Sequence, residues 1–510
     1  MTTPVVHPVL LERLRSDLRA GRFTVDGVAE RLGPVASAAL HREHPLPAVL
    51  RTEAATDPCG VLVRLFTLGR DVTEAQLTGA LPSLGARGAV ALGLVAAVAD
   101  GPGPPAGEPL LRARCDLRPY ADEASDWWVA SDLSEAATRA PLPPDHVLGI
   151  GPASTTLASW TIRRPVARAL DLGTGCGVQA LHLADHADTV TATDVSTRAL
   201  AYAAFTAALN GVTLELLSGD LLEPVAGRRF DLVVSNPPFV ISPRGAATPR
   251  YEYRDGGRRG DELVRSLVRE VGHVLRPGGV AQFLGNWEVP RGRSWRDVWA
   301  GWLDGVGLDA WVIQRDSQDP AEYAELWARD GGALPGTAAH DAMYAAWLDD
   351  FASRDVEAIG FGVVTLQRPI GERQPWRDLA EAPGPVASPM GPTLDVGLRA
   401  RTWLAEHTDD ELLDVAWRCA PDVTEERHYR PGSEDPSVIV VRQGGGLGRS
   451  VRASTLLAAY VGVADGELAA RAALDAIAAV LGLDAGAVRA ELLPTVRDLV
   501  ADGLLVRDGT

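Results

Sequence analysis

Apolar residues recur along this chain at several distinct spacings, and each spacing predicts a different element. Leu10, Leu14 and Leu18 stand four apart, the helical repeat, and Thr73-Glu74-Ala75-Gln76 has the form of a capping box opening a further helix. From Leu111 to Arg118 apolar and charged residues alternate, which predicts a half-buried strand with Trp127-Trp128-Val129 as its partner. From residue 167 short apolar runs alternate with helical patterns, which predicts a parallel, doubly wound α/β sheet. The runs are Ala169 to Leu172, Val190 to Val195, Thr213 to Leu217 and Phe230 to Ser235. Gly279 to Trp287 follows the turn Arg276-Pro277-Gly278-Gly279, and then come Leu308 to Gln314 and Ala358 to Leu366.

Between these runs lie a helix from Ser294 to Leu303 and a helical insertion from Pro320 to Phe351. In the insertion Tyr323, Trp327, Tyr344 and Trp347 either pack as core, the commoner use of aromatics at helical spacing, or stack on a substrate. Nearer the C-terminus Arg427 to Tyr429 and Ser437 to Arg442 read as strands. Leu474, Ile477 and Leu481, then Val488, Leu492, Val496 and Leu499, mark two amphipathic helices before a closing strand Gly503 to Val506. The run Gly444-Gly445-Gly446-Leu447-Gly448 lacks the Gly-Lys-Ser/Thr ending of a phosphate-binding loop and reads as a turn.

At 510 residues the chain exceeds one ordinary core. Stretches rich in Pro, Gly and Ala at Pro141 to Pro144 and Pro369 to Pro392 read as linkers. They divide it into an α+β unit over 1–145, a central α/β domain over 146–370 and a second α+β unit over 390–510. Both flanks read as helices followed by short strands, a winged-helix-like order, with Gly101-Pro102-Gly103-Pro104-Pro105 as the turn before the first wing. Each flank is either a recognition or a packing domain.

Composition narrows the function classes. A formal net charge of −18 excludes a protein whose whole surface binds nucleic acid, leaving only a local basic patch for that purpose. All the basic side chains other than histidine are arginine. Cys59, Cys115, Cys176 and Cys419 have no metal-ligand or CxxC spacing, so a reducing compartment and no metal are expected. The longest apolar run free of acids, Gly88 to Ala99, is too short to span a bilayer, and no charged-then-apolar segment opens the chain. A cytoplasmic protein with no membrane partner is the expectation.

The chemistry concentrates between Ala169 and Phe239. Asp171-Leu172-Gly173-Thr174-Gly175-Cys176-Gly177 is a strand end turning sharply into a helix. Glycines at every second position allow positive φ and let bare backbone approach a ligand. Asp194, near the end of the next run, is placed to hold a ribose diol. Asp220 follows the third run, and the fourth leads into Asn236-Pro237-Pro238-Phe239, a stiff turn in which neither proline has an N–H. A dinucleotide-binding unit is the alternative, but Gly-x-Gly-x-Gly followed by Asn-Pro-Pro-Phe departs from its G-x-G-x-x-G pattern.

Over residues 145–370 the chain resembles the class I S-adenosylmethionine-dependent methyltransferases with an (N/D/S)PP(Y/F/W) motif. The nearest by motif are the HemK-like protein-glutamine methyltransferases, followed by the ribosomal-RNA guanine N2-methyltransferases of the small methyltransferase domain. The resemblance implies a Rossmann-like sheet of order 3-2-1-4-5-7-6 with its last strand antiparallel, and S-adenosylmethionine as cofactor. It further implies that the turn of Gly173, Gly175 and Gly177 passes the donor's amino-acid part, with Asp171 near its methionine portion. Asp194 would accept from the ribose hydroxyls and Asp220 would face the adenine amine. Asn236 and the Pro237 carbonyl would accept both hydrogens of a planar NH2 group while Phe239 stacks on its plane, so no strong general base is required, and none is evident in the sequence.

The loop Arg250-Tyr251-Glu252-Tyr253-Arg254-Asp255-Gly256-Gly257, followed by Gly260-Asp261-Glu262-Leu263, resembles the substrate-covering loop of the glutamine branch. Phe239 departs toward the RNA branch, since the glutamine enzymes usually have tyrosine there. Arg244, Arg250, Arg254, Arg258 and Arg259 form either a basic rim for phosphates or an acidic partner, or a solvated loop. The expected function is N-methylation of a macromolecular substrate, a protein glutamine amide first. The alternatives are an exocyclic amine of RNA guanine or nucleic-acid adenine, and a non-catalytic cofactor-binding interaction module.

Overall fold

Strands that are buried on both faces need helices on each side, and the apolar runs after residue 165 are used in that way. The computed structural model describes residues 3–507 except 99–108, 139, 141, 245–250 and 331–334, so the expected turn at Gly101 to Pro105 lies outside the described residues. The central strands are β1 (Val166–Leu172), β2 (Ala187–Asp194), β3 (Glu215–Ser218) and β4 (Phe230–Ser235). They continue as β5 (Leu275–Pro290), β6 (Asp309–Gln318), β7 (Val356–Gln367) and β8 (Arg377–Glu381). All eight form one sheet in the order β3-β2-β1-β4-β5-β7-β6-β8. Strands β1 to β5 pair in parallel, β7 runs antiparallel to both β5 and β6, and β8 lies parallel to β6.

The eighth strand corrects the reading of 369–392 as a linker. Arg377-Asp378-Leu379-Ala380-Glu381 has a single buried position, Ala380, so it lacks the alternation that marks a half-buried strand. Pairing with β6, rather than local pattern, makes it a strand. Strand β5 also starts earlier than expected, at Leu275, with the Arg276–Gly279 turn accommodated as a register shift against β4.

The helices that position the candidate site are α1 (Pro152–Trp160), α2 (Val178–Ala184) and α3 (Thr197–Asn210). The insertion between β6 and β7 folds as α4 (Pro320–Asp330) and α5 (Ala338–Ala352). Within it Tyr323 and Trp347 are fully buried, Tyr344 is partly buried, and all three pack in one cluster, which makes them core. Trp327 is half-buried at the edge of that cluster.

In the N-terminal unit the predicted strand from Leu111 to Arg118 is broken in two. Leu110–Ala113 joins Val72–Thr73 and Val95–Ala97, while Asp116–Ala121 pairs with Asp126–Ser131. The alternation lapses where Cys115, Asp116 and Leu117 are buried in succession. Cys115, Leu117, Trp127 and Trp128 share one hydrophobic cluster with Tyr202, Phe205 and Leu209 of α3, so this unit is packed onto the central domain. The Asn210 side chain reinforces the join, accepting from the Trp128 N–H at 2.9 Å and donating to the Trp128 carbonyl at 2.8 Å.

The C-terminal unit has its own cluster, built on helices Thr455–Val463, Ala470–Leu481 and Ala485–Ala501. A three-stranded antiparallel sheet stands beside it, and Leu505–Val506 pairs with Arg418–Cys419. Among the described residues no helix is long and apolar enough to cross a membrane.

Candidate active site

The turn after β1 is held by the strand next to it. Gly173 and Thr174 both donate their N–H groups to the Thr193 carbonyl, at 2.9 and 2.8 Å. Gly173, Gly175 and Gly177 take φ values of +74°, +55° and +89°, a region that an L side chain seldom occupies. A Cβ on Gly177 would stand 3.2 Å from Ala203 Cα on α3, so that glycine serves close packing. A Cβ on Gly173 or Gly175 would meet nothing within 4 Å, so those two border open space, as a turn facing a ligand must.

Two acids flank this turn. Asp194, at the end of β2, accepts from the Gly175 N–H through Oδ2 and from the Ser196 N–H through Oδ1, each at 2.9 Å. Burial raises its carboxyl pKa against the pull of those donors. Asp171, at the end of β1, is 1% exposed and accepts from Thr174 Oγ1 at 2.6 Å through Oδ2. Its Oδ1 has no hydrogen-bond partner among the described residues, and burial pushes its pKa up to about 7. A buried carboxylate oxygen left without a donor is costly, so this site fits a donor-bearing cationic group.

Asp220 stands apart from these two. It follows β3 on the surface, with its side chain 3.5 Å from the Arg258 guanidinium. The next residue, Leu221, holds a left-handed φ of +43°, local strain of the kind that collects at ligand-binding turns.

The Asn236 turn leaves β4 under tight control. Ser235 Oγ donates to the Leu172 carbonyl at 2.7 Å, which ties the end of β4 to that of β1. After the turn, Tyr323 Oη accepts from the Ile241 N–H at 2.9 Å and Trp347 Nε1 donates to the Ile241 carbonyl at 2.8 Å. The insertion therefore clamps the exit of the turn. Asn236 Oδ1 is buried and without a hydrogen-bond partner among the described residues. The Pro237 carbonyl accepts from the Phe239 N–H at 2.7 Å, so it keeps one lone pair for a ligand rather than both.

Asn236, Pro237 and Phe239 line a cavity of about 670 Å³ that is walled on its other side by the N-terminal unit. Ser154 at the start of α1 lines it too, and Gln179 Nε2 of α2 donates to the Ser154 carbonyl at 2.8 Å. The residues from Gly151 to Ser154 are thus both a helix start and part of the cavity wall. The turn glycines, Asp171 and Asp194 lie outside this lining, behind Asn236 at the carboxyl ends of β1 and β2.

Several wall residues escaped the sequence reading: Asp116, Ser131, Asp132 and His146. Asp132 Oδ1 accepts from Tyr202 Oη at 2.8 Å and pairs with Arg198, and its Oδ2 accepts from the Val147 N–H at 2.8 Å. His146 is 4% exposed, its Nδ1 3.9 Å from Asp132 Oδ2, and burial lowers its pKa, keeping the ring neutral near pH 7. These residues lie in a strand end and a linker. No local spacing marks them, and only the packing of α3 against the N-terminal strands brings them to the cleft.

The loop after Phe239 is pinned rather than free. Phe239 bridges to Asp255, and the Val240 N–H donates to the Arg254 carbonyl at 3.0 Å. Arg254 is 3% exposed, its guanidinium 4.7 Å from the Tyr251 ring centre and 5.8 Å from that of Trp327. Arg244 pairs with Asp255 at 3.0 Å and Arg258 with Asp220. Arg250 lies outside the described residues. The basic rim considered for this loop is therefore largely spent on internal partners.

Family models match three stretches of the chain. A domain of unknown function (DUF7059) covers residues 20–104, the methyltransferase small domain covers 149–291, and a second domain of unknown function (DUF7782) covers 397–507. The ribosomal protein uL3 glutamine methyltransferase of Xanthomonas campestris pv. campestris is 35% identical over 34% of this chain and 58% of its own length. The release factor glutamine methyltransferase of Deinococcus radiodurans is 40% identical over 33% of this chain and 60% of its own. The ribosomal RNA small subunit methyltransferase C of Alcanivorax borkumensis is 33% identical over 27% of this chain and 35% of its own. The chain thus spans between 35% and 60% of the length of these relatives. With the glycine turn, the two acids and the Asn236 turn on adjacent strand ends, residues 149–291 match the methyltransferase small domain, and the central domain is similar to the class I S-adenosylmethionine-dependent methyltransferases.

Proposed function

We propose that this chain is an S-adenosylmethionine-dependent N-methyltransferase acting on a planar NH2 group, the side-chain amide of a protein glutamine. The observation that carries the reading is Asn236 Oδ1, a buried acceptor with no partner among the described residues, on a side chain that lines a cavity large enough for another side chain. Asp171 with its unpartnered Oδ1, the open turn at Gly173 and Gly175, Asp194 and Asp220 are the residues that would hold the cofactor. Bound there, S-adenosylmethionine supplies an electrophilic methyl carbon.

The chain's own contribution is positioning. An amide nitrogen has a delocalised lone pair and is a poor nucleophile. Asn236 Oδ1 and the remaining lone pair of the Pro237 carbonyl accept its two hydrogens, fix its plane and favour positive charge developing on nitrogen. Phe239 covers the flat face of the group. The N-terminal unit walls the far side of the cavity, which limits the directions from which an acceptor can reach Asn236.

The cleft's charges support a protein acceptor. Arg118 is paired with Asp116 and Arg254 is buried between aromatic rings, while the exposed Arg329 stands in the lining with the acids Glu43 and Glu135. A phosphate-bearing strand would meet two acids there against one exposed arginine. The named activities of the Xanthomonas and Deinococcus relatives point the same way. A second reading, the exocyclic amine of an RNA guanine, is favoured by Phe239 and by the Alcanivorax relative.

The units we propose are 1–145, a central unit that starts at 146 and runs past the expected end at 370 to include β8 at Arg377–Glu381, and 390–510, acting in the cytoplasm on a macromolecular partner. Residues 58–113 run helix, strand, two helices, strand, strand, with the first and last strands adjacent, which supports the winged-helix-like description of the N-terminal unit. The test is transfer of radiolabelled methyl from S-adenosylmethionine into an extract of the source cells. Label released by protease alone supports the glutamine reading. Label released by ribonuclease alone moves the acceptor to RNA.

A further inference from the structure

The wall of the cavity opposite Asn236 carries two buried polar atoms that no group among the described residues satisfies. Asp116 is 3% exposed, and its Oδ1 has no hydrogen-bond partner among the described residues. The same is true of Nδ1 of His146, which is 4% exposed. Both side chains line the cavity. A buried polar atom without a partner costs about 1–3 kcal/mol, and these two belong to side chains that line the cavity, where a ligand group can reach them.

The charge balance decides what kind of group would complete them. Asp116 Oδ2 already accepts from Arg118 Nε at 2.6 Å, and Asp132 is already paired with Arg198. Each carboxylate on this wall thus has its own guanidinium. What is missing is a hydrogen-bond donor, not a positive charge. An ammonium or guanidinium from a substrate would over-neutralise the pair, and a phosphate would bring acceptors to a wall of acceptors. A peptide N–H is neutral, directional and available in every polypeptide.

Burial of Asp116, opposed by Arg118, raises its pKa to about 6, so the carboxylate is mostly ionised near pH 7 and accepts such a donor strongly. His146 is fixed edge-on to Tyr253, ring centres 5.8 Å apart, and Arg254, the residue after Tyr253, receives the Val240 hydrogen bond beside Phe239. The wall is therefore coupled by direct contacts to the turn that would hold the acceptor amide.

Resting on the methyltransferase reading above, we propose that Asp116, Ser131 and His146 form a subsite for the main chain flanking the methylated amide, binding it through neutral N–H donors. On this proposal the N-terminal unit recognises a polypeptide segment, and the central domain methylates one side chain of it.

The test uses the full chain, tritium-labelled methyl donor and, as acceptor, a soluble extract of source cells from which the gene for this chain has been deleted. For Asp116→Asn and for His146→Phe the half-saturating amount of extract should rise about tenfold, the cost of one buried hydrogen bond. Maximal rate should stay within about twofold, and the cofactor dissociation constant should not change. Raising salt tenfold should leave the wild-type half-saturation within about twofold, because a neutral donor carries no counterions to release. Unchanged half-saturation in His146→Phe, a variant that keeps a ring against Tyr253 but has no acceptor, overturns the subsite even if Asp116→Asn fails to fold. A steep rise of wild-type half-saturation with salt overturns it in favour of a charged ligand. If the wild-type chain binds the cofactor yet labels nothing in the extract, the methyltransferase reading fails and the subsite falls with it.

Discussion

Gly175 donates its backbone N–H to Asp194 Oδ2 at 2.9 Å, joining the turn after β1 to the end of β2. One carboxylate thus shapes the glycine turn and stands where a ribose would lie. Each of its oxygens has one backbone donor and retains lone pairs for a further donor.

Replacing Asp194 by Ala removes both functions together. The cofactor dissociation constant should rise at least about tenfold, since hydrogen bonds to a charged group contribute about 1.5–3 kcal/mol. Isothermal titration with S-adenosylmethionine reads this directly. An unchanged constant would place the ribose elsewhere.

Asn236→Ala should separate binding from turnover. The orphan Oδ1 belongs to the acceptor side of the site, so cofactor affinity should hold while the maximal rate falls about 10²–10³-fold, the usual effect of removing one preorganised polar group. Full turnover with intact cofactor binding would remove Asn236 from the chemistry.

Asp171 makes the pH dependence specific. Its folded-state pKa, about 7, lies above the ordinary carboxylate value. The folded chain therefore holds a proton that the unfolded chain has released between about pH 4 and 7. The stabilising contribution is fully present below the unfolded value and is lost as pH rises through the folded one. Without cofactor, Asp171→Asn should be more stable than wild type at pH 8, by about 1–3 kcal/mol, and indistinguishable near pH 4. The same variant should bind the cofactor more weakly at pH 8, where wild type presents a bare carboxylate. Thermal melts at the two pH values, with and without cofactor, check both signs.

How much of this was legible in the chain depends on the range of the interaction. The glycine turn, Asp171, Asp194 and the Asn236 turn were readable because each is a local arrangement at a strand end, written in a few consecutive residues. The strands were readable from their apolar runs. Strand β8 was not, because only Ala380 of its five residues is buried and its partner, β6, lies more than sixty residues away. Asp116, Asp132 and His146 were invisible for the same reason. A buried acid and a histidine in a linker acquire meaning only when α3 brings Arg198 and Tyr202 against them. The aromatic insertion was half legible: Tyr323 and Trp347 are core, as helical spacing suggests, but spacing says nothing of their hydrogen bonds to Ile241.

The last prediction concerns the join between the sheet and the C-terminal unit. Arg401, on the helix Gly391–Glu406, is 6% exposed and lies over the Trp311 ring of β6, 3.8 Å from its centre. It pairs with Asp378 on β8, and with Asp502 at the end of the last long helix at 2.9 Å. One buried cation therefore holds the sheet edge, the connecting helix and the C-terminal unit together. Truncating it leaves Asp378 without this cation, leaves Asp502 with Arg449 alone and uncovers the Trp311 ring; with both acids partly exposed the loss is about 1–3 kcal/mol. Arg401→Ala should therefore lower the denaturation midpoint and expose the 370–390 segment to limited proteolysis before the central domain unfolds. Arg401→Lys should recover little, because a lysine offers neither the planar stacking on Trp311 nor the fork that meets two carboxylates. If Arg401→Ala unfolds in one transition at the wild-type midpoint, the C-terminal unit is held by its apolar contacts alone.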